Sequence, residues 1–436
     1  MERSDYRSFL LPLPPKSAIS LIIARANERK EKGLPVVDFS SGNVGMLPYH
    51  LGVFNKLEIQ VNEKLNSSLK LVAEAIRKGI LDAYYPNPSA LSYSPTGGTI
   101  SAKKQVIRYF REVHGVPLMD SDLNRVVVTA GGQQALSAAL RSIKPKTKVM
   151  MYRWDYPDVS SMIKAQNCEE VRVEADEDLS IDRGDFESKV SEGSVFYISM
   201  PNNPSGYVST SDFEFLAEKV HEMNGGLIWD APYIFTILRL TTRKAYFDKA
   251  FMLETQDKFK SITQKYFEDM CILSSTSKTC LLAGLRFGFA TACSHWVGVM
   301  DSIIGRDNLS SPTPSFILCE SALRMFLDNP ITHEWLCEVL ASRLTVLMEE
   351  GLPLLLPRNG SFGALYVLLR TKGVDGAKFA EELIDKYGIV TVSGDAFYGR
   401  PVEAVRLSLV ATPWTEGDEV WVRNVKTLKN SLKNLG

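Results

Sequence analysis

Between residues 126 and 292 the chain repeats one unit: a short apolar run rich in β-branched residues, then a stretch of helical periodicity, then another run. The runs fall at 126–130, 148–152, 170–173, 195–199, 226–229, 271–274 and 287–292. Strands buried on both faces read as continuous apolar segments, and strands separated by helices pair in parallel. The alternation predicts an α/β fold in which a mostly parallel sheet is covered by helices on both sides. From about residue 309 the pattern changes to a long helical region over 315–350, strand-like 364–369, a helix over 377–386, strand-like 389–392 and 405–409, and a last helix. That predicts a smaller α+β domain, completed by N-terminal residues folding back. With 436 residues and 45% hydrophobic content, the chain can bury a large core and is too long for one ordinary domain. The expected division is an N-terminal segment 1–55 that includes a lid, a large domain 56–308 and a small domain 309–436.

Open α/β sheets present ligands beyond the carboxyl ends of their strands, and three such ends here carry chemically useful groups. Ser275-Thr276-Ser277-Lys278 follows an apolar run, with Arg286 eight residues after the lysine. A partly desolvated lysine loses its proton near neutral pH and can attack a carbonyl, while hydroxyls and an arginine fork hold a phosphate. Asp230 ends the run at 226–229, and Tyr233 follows three residues later. A carboxylate at this point suits pairing with a protonated ring nitrogen, which makes a pyridine an electron sink, and the phenol can donate to a ring oxygen. The run at 195–198 leads into Ser199-Met200-Pro201-Asn202-Asn203-Pro204-Ser205-Gly206, a rigid turn able to project an uncharged amide. Each piece alone has an ordinary reading: a solvated lysine, a loop aspartate, a plain turn.

In this order and at this spacing the residues resemble the fold-type I pyridoxal phosphate enzymes of the aspartate aminotransferase superfamily. That family carries Asn-Pro-Thr-Gly, then Asp-x-x-Tyr, then Ser-x-x-Lys with an arginine eight residues on. This chain supplies Asn203, Asp230 with Tyr233, Ser275 with Lys278, and Arg286, with Ser205 in place of the threonine. The resemblance implies an aspartate aminotransferase-like fold with a seven-stranded sheet, pyridoxal 5'-phosphate as cofactor, and covalent attachment of that cofactor to Lys278. It also implies that Gly132 and Gln133, at a helix start after 126–130, bind the cofactor phosphate, as the dipole and free amides of a helix N-terminus favour. By the same likeness Tyr156 stacks on the ring, with Trp154 as a rival, and Arg406 takes the substrate α-carboxylate as a planar fork. Gly42 falls in the loop that closes over substrate. Tyr93 matches the tyrosine that crosses a subunit boundary to the partner's phosphate, so a homodimer with shared active sites is expected. The implied reaction is ping-pong transfer of an amino group between an L-amino acid and a 2-oxo acid, with Lys278 as the general base. The same constellation also serves lyases, decarboxylases, cyclases and oxidases, and a non-catalytic cofactor-binding protein is a further reading.

Lys and Arg number 50 against 51 Asp and Glu, which gives no reason to expect nucleic acid or an anionic membrane as partner. No apolar run has the length of a membrane span, and residues 1–16 lack the pattern of a signal peptide. The six cysteines are scattered without paired metal spacing and the five histidines do not cluster, so no metal site is expected, and the thiols suggest a cytoplasmic enzyme. The stretch 246–266 lies where the family spacing from Tyr233 to Lys278 is shorter. It is expected to be an inserted surface helix or the rim of a substrate entrance. Arg153, Arg239 and Arg306 are possible partners for a side-chain carboxylate, and the aromatic residues Tyr84, Tyr85 and Trp154 suit a bulky apolar side chain.

Overall fold

The computed structural model describes residues 17–44, 63–85, 92–329, 331–412 and 418–435. Gly45 of the expected lid, the stretch 86–89 and the boundary near residue 55 lie outside the described residues.

The apolar runs form one seven-stranded sheet: β1 (Val126–Thr129), β2 (Lys148–Tyr152), β3 (Glu169–Val173), β4 (Val195–Ser199), β5 (Gly226–Asp230), β6 (Met270–Ser275) and β7 (Gly288–Thr291). Their spatial order is β1-β7-β6-β5-β4-β2-β3. Successive residues alternate between two cores. Val128, Met150, Phe196, Ile198, Trp229 and Ile272 face one side, whereas Val127, Val149, Val195, Tyr197, Ile228 and Cys271 face the other. Both faces of the central strands are therefore dry, while the edge strand β3 carries Glu169, Glu170 and Arg172, and each fully buried large side chain contributes about 1.5–3 kcal/mol. The pairs β6–β5, β5–β4, β4–β2 and β2–β3 are parallel, while β7 runs antiparallel to both β1 and β6. A parallel return needs a long crossover. The link from β6 to β7 is short and consists of the turn Thr276–Thr279 and the 3-10 turn Ala283–Leu285, so the chain doubles back instead.

Register brings the carboxyl ends to one edge. Ser199 lies opposite Asp230, and Asp230 opposite Leu273. Gly288 pairs with both Thr129 and Ser275.

The second lobe centres on an antiparallel sheet of β8 (Leu354–Leu355), β9 (Tyr366–Arg370), β10 (Val392–Ser393) and β11 (Ala404–Ser408), ordered β8-β9-β11-β10. The long helical region expected over 315–350 consists of two helices, Thr313–Asp328 and Ile331–Glu349. Asn329 between them is extended at φ −137, ψ 93, the conformation that a following proline imposes by clashing with helical backbone. The segment expected at 389–392 also divides: Ile389–Val390 pairs in parallel with Val37–Asp38, and Val392–Ser393 joins β11. The N-terminal segment thereby lies against the second lobe. There Ser408 N donates to Phe39 O at 2.7 Å and Ser408 Oγ to Ser41 O at 2.6 Å.

The stretch 246–266 contains a surface helix with one buried face. Strands Leu238–Leu240 and Ala245–Tyr246 pair with each other and with Ser361–Phe362, and the helix Lys249–Tyr266 follows. Asp248 caps this helix by accepting from Phe251 N at 3.1 Å. One face is buried through Met252, Phe259, Ile262 and Tyr266. Phe259 stacks on Trp229 with centroids 5.3 Å apart, so the helix supports from behind the strand that carries Asp230.

Among the described residues no helix is long and apolar enough to cross a membrane, and no group of His, Cys, Asp and Glu is placed to hold a metal ion. Cys168, Cys271, Cys293 and Cys337 are free thiols.

Candidate active site

A cleft of about 410 Å³ opens at the carboxyl edge of the large sheet, where the second lobe and the N-terminal segment meet it. Its wall includes Gly42, Gly132, Gln133, Tyr156, Asn203, Asp230, Tyr233, Ser275, Lys278, Arg286 and Arg406. These residues come from both lobes and from both ends of the sequence. Tyr93 is not among them: it is 85% exposed and lies in a separate groove with Thr313 and Arg324.

At one end, β1 turns into the helix Gly132–Arg141. Gly131 adopts φ +87, which L side chains rarely take, and a Cβ there would push against the guanidinium of Arg286. Arg286 itself is left-handed at φ 53, ψ 58, and its Nη1 donates to Ala283 O at 2.9 Å. Gly132 faces Ser275, since a Cβ on the glycine would lie 3.6 Å from the serine Oγ. Helix amides, a buried serine and a guanidinium thus converge on one spot with the character of an anion cradle.

In the middle, Asp230 projects from the end of β5 and accepts from Tyr197 Oη at 3.2 Å. Burial pushes its carboxyl up to about 6, against the Tyr197 hydrogen bond and the nearby Lys278 charge. Lys278, in the short turn after β6, reaches across to donate from Nζ to Gly42 O at 2.8 Å. Tyr156 is fixed at its hydroxyl, which donates to Asp158 Oδ2 at 2.8 Å, and Gln133 Nε2 donates to the same oxygen at 3.1 Å. Trp154, the rival stacker, points away and packs on Tyr398 with centroids 4.5 Å apart.

At the other end, Arg406 is buried on β11. Its Nη2 donates to Ser40 O at 2.7 Å and its Nη1 to Asn203 Oδ1 at 3.2 Å. The guanidinium lies 4.1 Å from the centroid of Tyr366 and 4.9 Å from that of Phe397. Burial lowers its affinity for a proton, opposed by Tyr366 and Tyr233. Its Nε is buried and has no hydrogen-bond partner among the described residues. A bare buried donor on a cation costs free energy that an incoming carboxylate would restore.

Tyr366 and Ser199 line the same cleft and were not legible as site residues. Burial pushes the Tyr366 phenol up, but the charges of Lys278 and Arg406 and a hydrogen bond with Tyr233 outweigh that and hold it below its ordinary value. Tyr366 sits in an unexceptional strand pattern, and only the pairing of β9 with β11 brings it beside Arg406. Ser199 had a weak signal, as the last residue before the asparagine turn. The three arginines considered for a side-chain carboxylate lie outside the cleft wall. Arg153 pairs with Glu174, Arg239 lies 3.4 Å from Asp248, and Arg306 is exposed on the helix Ser294–Asn308.

The family model for aminotransferase class I and II matches residues 55–423. An aspartate aminotransferase of Pyrococcus horikoshii is 25% identical over 330 residues, spanning 72% of this chain and 78% of that protein. A histidinol-phosphate aminotransferase of Macrococcus caseolyticus is 26% identical over 235 residues, spanning 53% of this chain and 57% of that protein. The structure of Thermus thermophilus aspartate aminotransferase with maleate superposes with a TM-score of 0.76 at 20% identity, covering 98% of this chain and all (100%) of that one.

Proposed function

Because the chain belongs to the aminotransferase class I and II family, we propose that it binds pyridoxal 5'-phosphate and moves an amino group between an L-amino acid and a 2-oxo acid by a ping-pong mechanism. The observation that carries this reading is the convergence of Lys278, Asp230 and Arg406 on one cleft from three distant segments. The residues present fit the cofactor. Gly132, Gln133, Ser275 and Arg286 would cradle its phosphate, and the lack of a Cβ at Gly131 leaves room for the Arg286 guanidinium beside it. Asp230 would pair with the ring nitrogen, Tyr156 would stack on the ring, and Asn203 and Tyr233 would donate to the ring oxygen. When bound, the cofactor supplies an electron sink for the carbanion at the substrate α-carbon.

The remaining work falls to the chain. Arg406 holds the α-carboxylate through its open Nε and planar fork, which fixes the α-carbon in the cleft. Lys278 would anchor the cofactor through its Nζ and, when that amine is free, would serve as the base that takes the proton from the α-carbon. Loop 40–43, with Gly42 at its centre, lies over the lysine and excludes water. Ile80, Leu81, Tyr84, Tyr85 and Ile100 expose large apolar side chains, as does Tyr93. That surface suits a homodimer in which Tyr93 of the partner subunit completes the phosphate site. The free thiols suit a cytoplasmic enzyme.

The test is a half-reaction. Purified protein loaded with pyridoxal phosphate is mixed with single amino acids while its absorption spectrum is recorded. A donor should shift the band of the bound cofactor, and a 2-oxo acid added afterwards should restore it. Release of ammonia or carbon dioxide without that reversal would replace transamination by a lyase, oxidase or decarboxylase reaction.

A further inference from the structure

The turn after β2 carries a carboxylate to which the reaction described above gives no task. Asp155 is fully buried, and among the described residues no lysine, arginine or histidine pairs with it. Its oxygens instead receive three donors: Tyr156 N at 2.8 Å and Ser199 Oγ at 2.6 Å on Oδ1, and Ser199 N at 3.1 Å on Oδ2. The Ser199 hydroxyl in turn accepts from Asn202 Nδ2 at 3.1 Å and from Asn203 N at 3.3 Å. A hydroxyl has one proton and two lone pairs. With both lone pairs engaged, the Ser199 proton has only Asp155 to go to. The arrangement therefore calls for an acceptor at all three donors, which a carboxylate provides and an amide does not. From Asn203 the chain continues to Arg406, whose Nη1 donates to Asn203 Oδ1 at 3.2 Å.

We propose that Asp155 is a positioning residue that locks Tyr156 and Asn203 to each other, and through Asn203 steadies Arg406. The proposal rests on the cofactor assignment above. One buried carboxyl group fixes the backbone of the ring-stacking tyrosine and, through one serine, the backbone and neighbouring amide of the ring-oxygen donor. Burial pushes its carboxyl up to about 8, and the three donors, which favour the anion, offset that only in part. A buried acceptor with this many obligations contributes to function only if its partners do, which separates positioning from mere scaffolding.

A double-mutant cycle tests this. The dissociation constant of pyridoxal phosphate is measured by absorbance titration of the apoprotein for the parent, Asp155→Asn, Asn203→Ala and the double variant, together with KM for an amino donor found by the half-reaction. Asp155→Asn should weaken cofactor binding by about 10- to 100-fold and raise KM. In the Asn203→Ala background the same change should cost at least about threefold less, because part of its route is already gone. Asp155→Asn within about twofold of the parent, or a coupling below about threefold, would overturn the proposal. If Asp155→Asn does not fold, Ser199→Ala is put through the same cycle against the same thresholds, since it leaves the carboxylate and removes the relay. A parent that shows no Lys278-dependent absorption band with pyridoxal phosphate defeats the cofactor assignment itself, a different result from a bound cofactor with no coupling.

Discussion

The Nζ of Lys278 lies 2.8 Å from the carbonyl oxygen of Gly42, so the turn after β6 and the N-terminal segment meet across the cleft. The two residues are 236 positions apart in sequence. The contact uses a backbone acceptor, which a substrate or cofactor can displace without leaving a charge buried.

Lys278→Ala should abolish the absorption band of covalently held pyridoxal phosphate and lower turnover by about 10²- to 10⁴-fold or more, since the same amine serves as anchor and base. Absorption spectra and single-turnover rates check both parts. A yellow, fully active variant would remove the lysine from the reaction.

The Asp230 carboxyl gives a pH dependence of known sign. Its value in the apoprotein is pushed up to about 6, above the ordinary aspartate range near 3.9. For folding, a raised carboxyl means that the native apoprotein binds more protons than the unfolded chain between about pH 4 and 6, so this group's contribution to stability declines as pH rises through that window. Cofactor binding runs the other way, because a protonated ring nitrogen needs the anion. Affinity for pyridoxal phosphate should therefore fall as pH drops below about 6, and Asp230→Asn should flatten that limb of the profile. Titrations of the apoprotein across pH 5 to 8 supply the comparison.

Arg406→Lys should leave the spectrum of the bound cofactor nearly unchanged while lowering kcat/KM for amino donors by about 10- to 100-fold. An ammonium replaces the charge but not the two parallel donors, and it loses the stacking on Tyr366 at 4.1 Å. Steady-state kinetics beside an absorption spectrum separate substrate binding from cofactor binding, and an altered spectrum with unchanged KM would contradict the assignment.

What could be read from the residues, and what could not, follows from the range of the interactions. The strands were legible because burial on both faces leaves each as an unbroken apolar run, as at 195–199 and 271–274. Lys278, Asp230 and Asn203 were legible because each sits at such a run's end, where the sheet itself supplies the address. Tyr366 was not, because its place beside Arg406 arises from the pairing of two strands nearly 40 residues apart. The insert was legible as a helix, but its buried face was not. Phe259 meets Trp229 across 30 positions, and a sequence of mixed aromatics and lysines does not announce that contact. The break at Asn329 was written locally, in the proline that follows it, and was masked by apolar periodicity on both sides.

Support for the Asp230 strand from behind gives the last prediction. Phe259 is 1% exposed and packs against both Trp229, at 5.3 Å, and Phe213, at 5.1 Å. Phe259→Ala removes a full aromatic side chain from a contact that nothing nearby is placed to refill, at a cost of about 3–5 kcal/mol. Denaturation midpoints in urea should fall accordingly. None of the residues lining the cleft belongs to the helix Lys249–Tyr266, so folded variant protein held well below its midpoint should bind pyridoxal phosphate with little change in affinity. If affinity collapsed together with stability, the helix would be acting on Asp230 through β5 rather than only holding the strand in place.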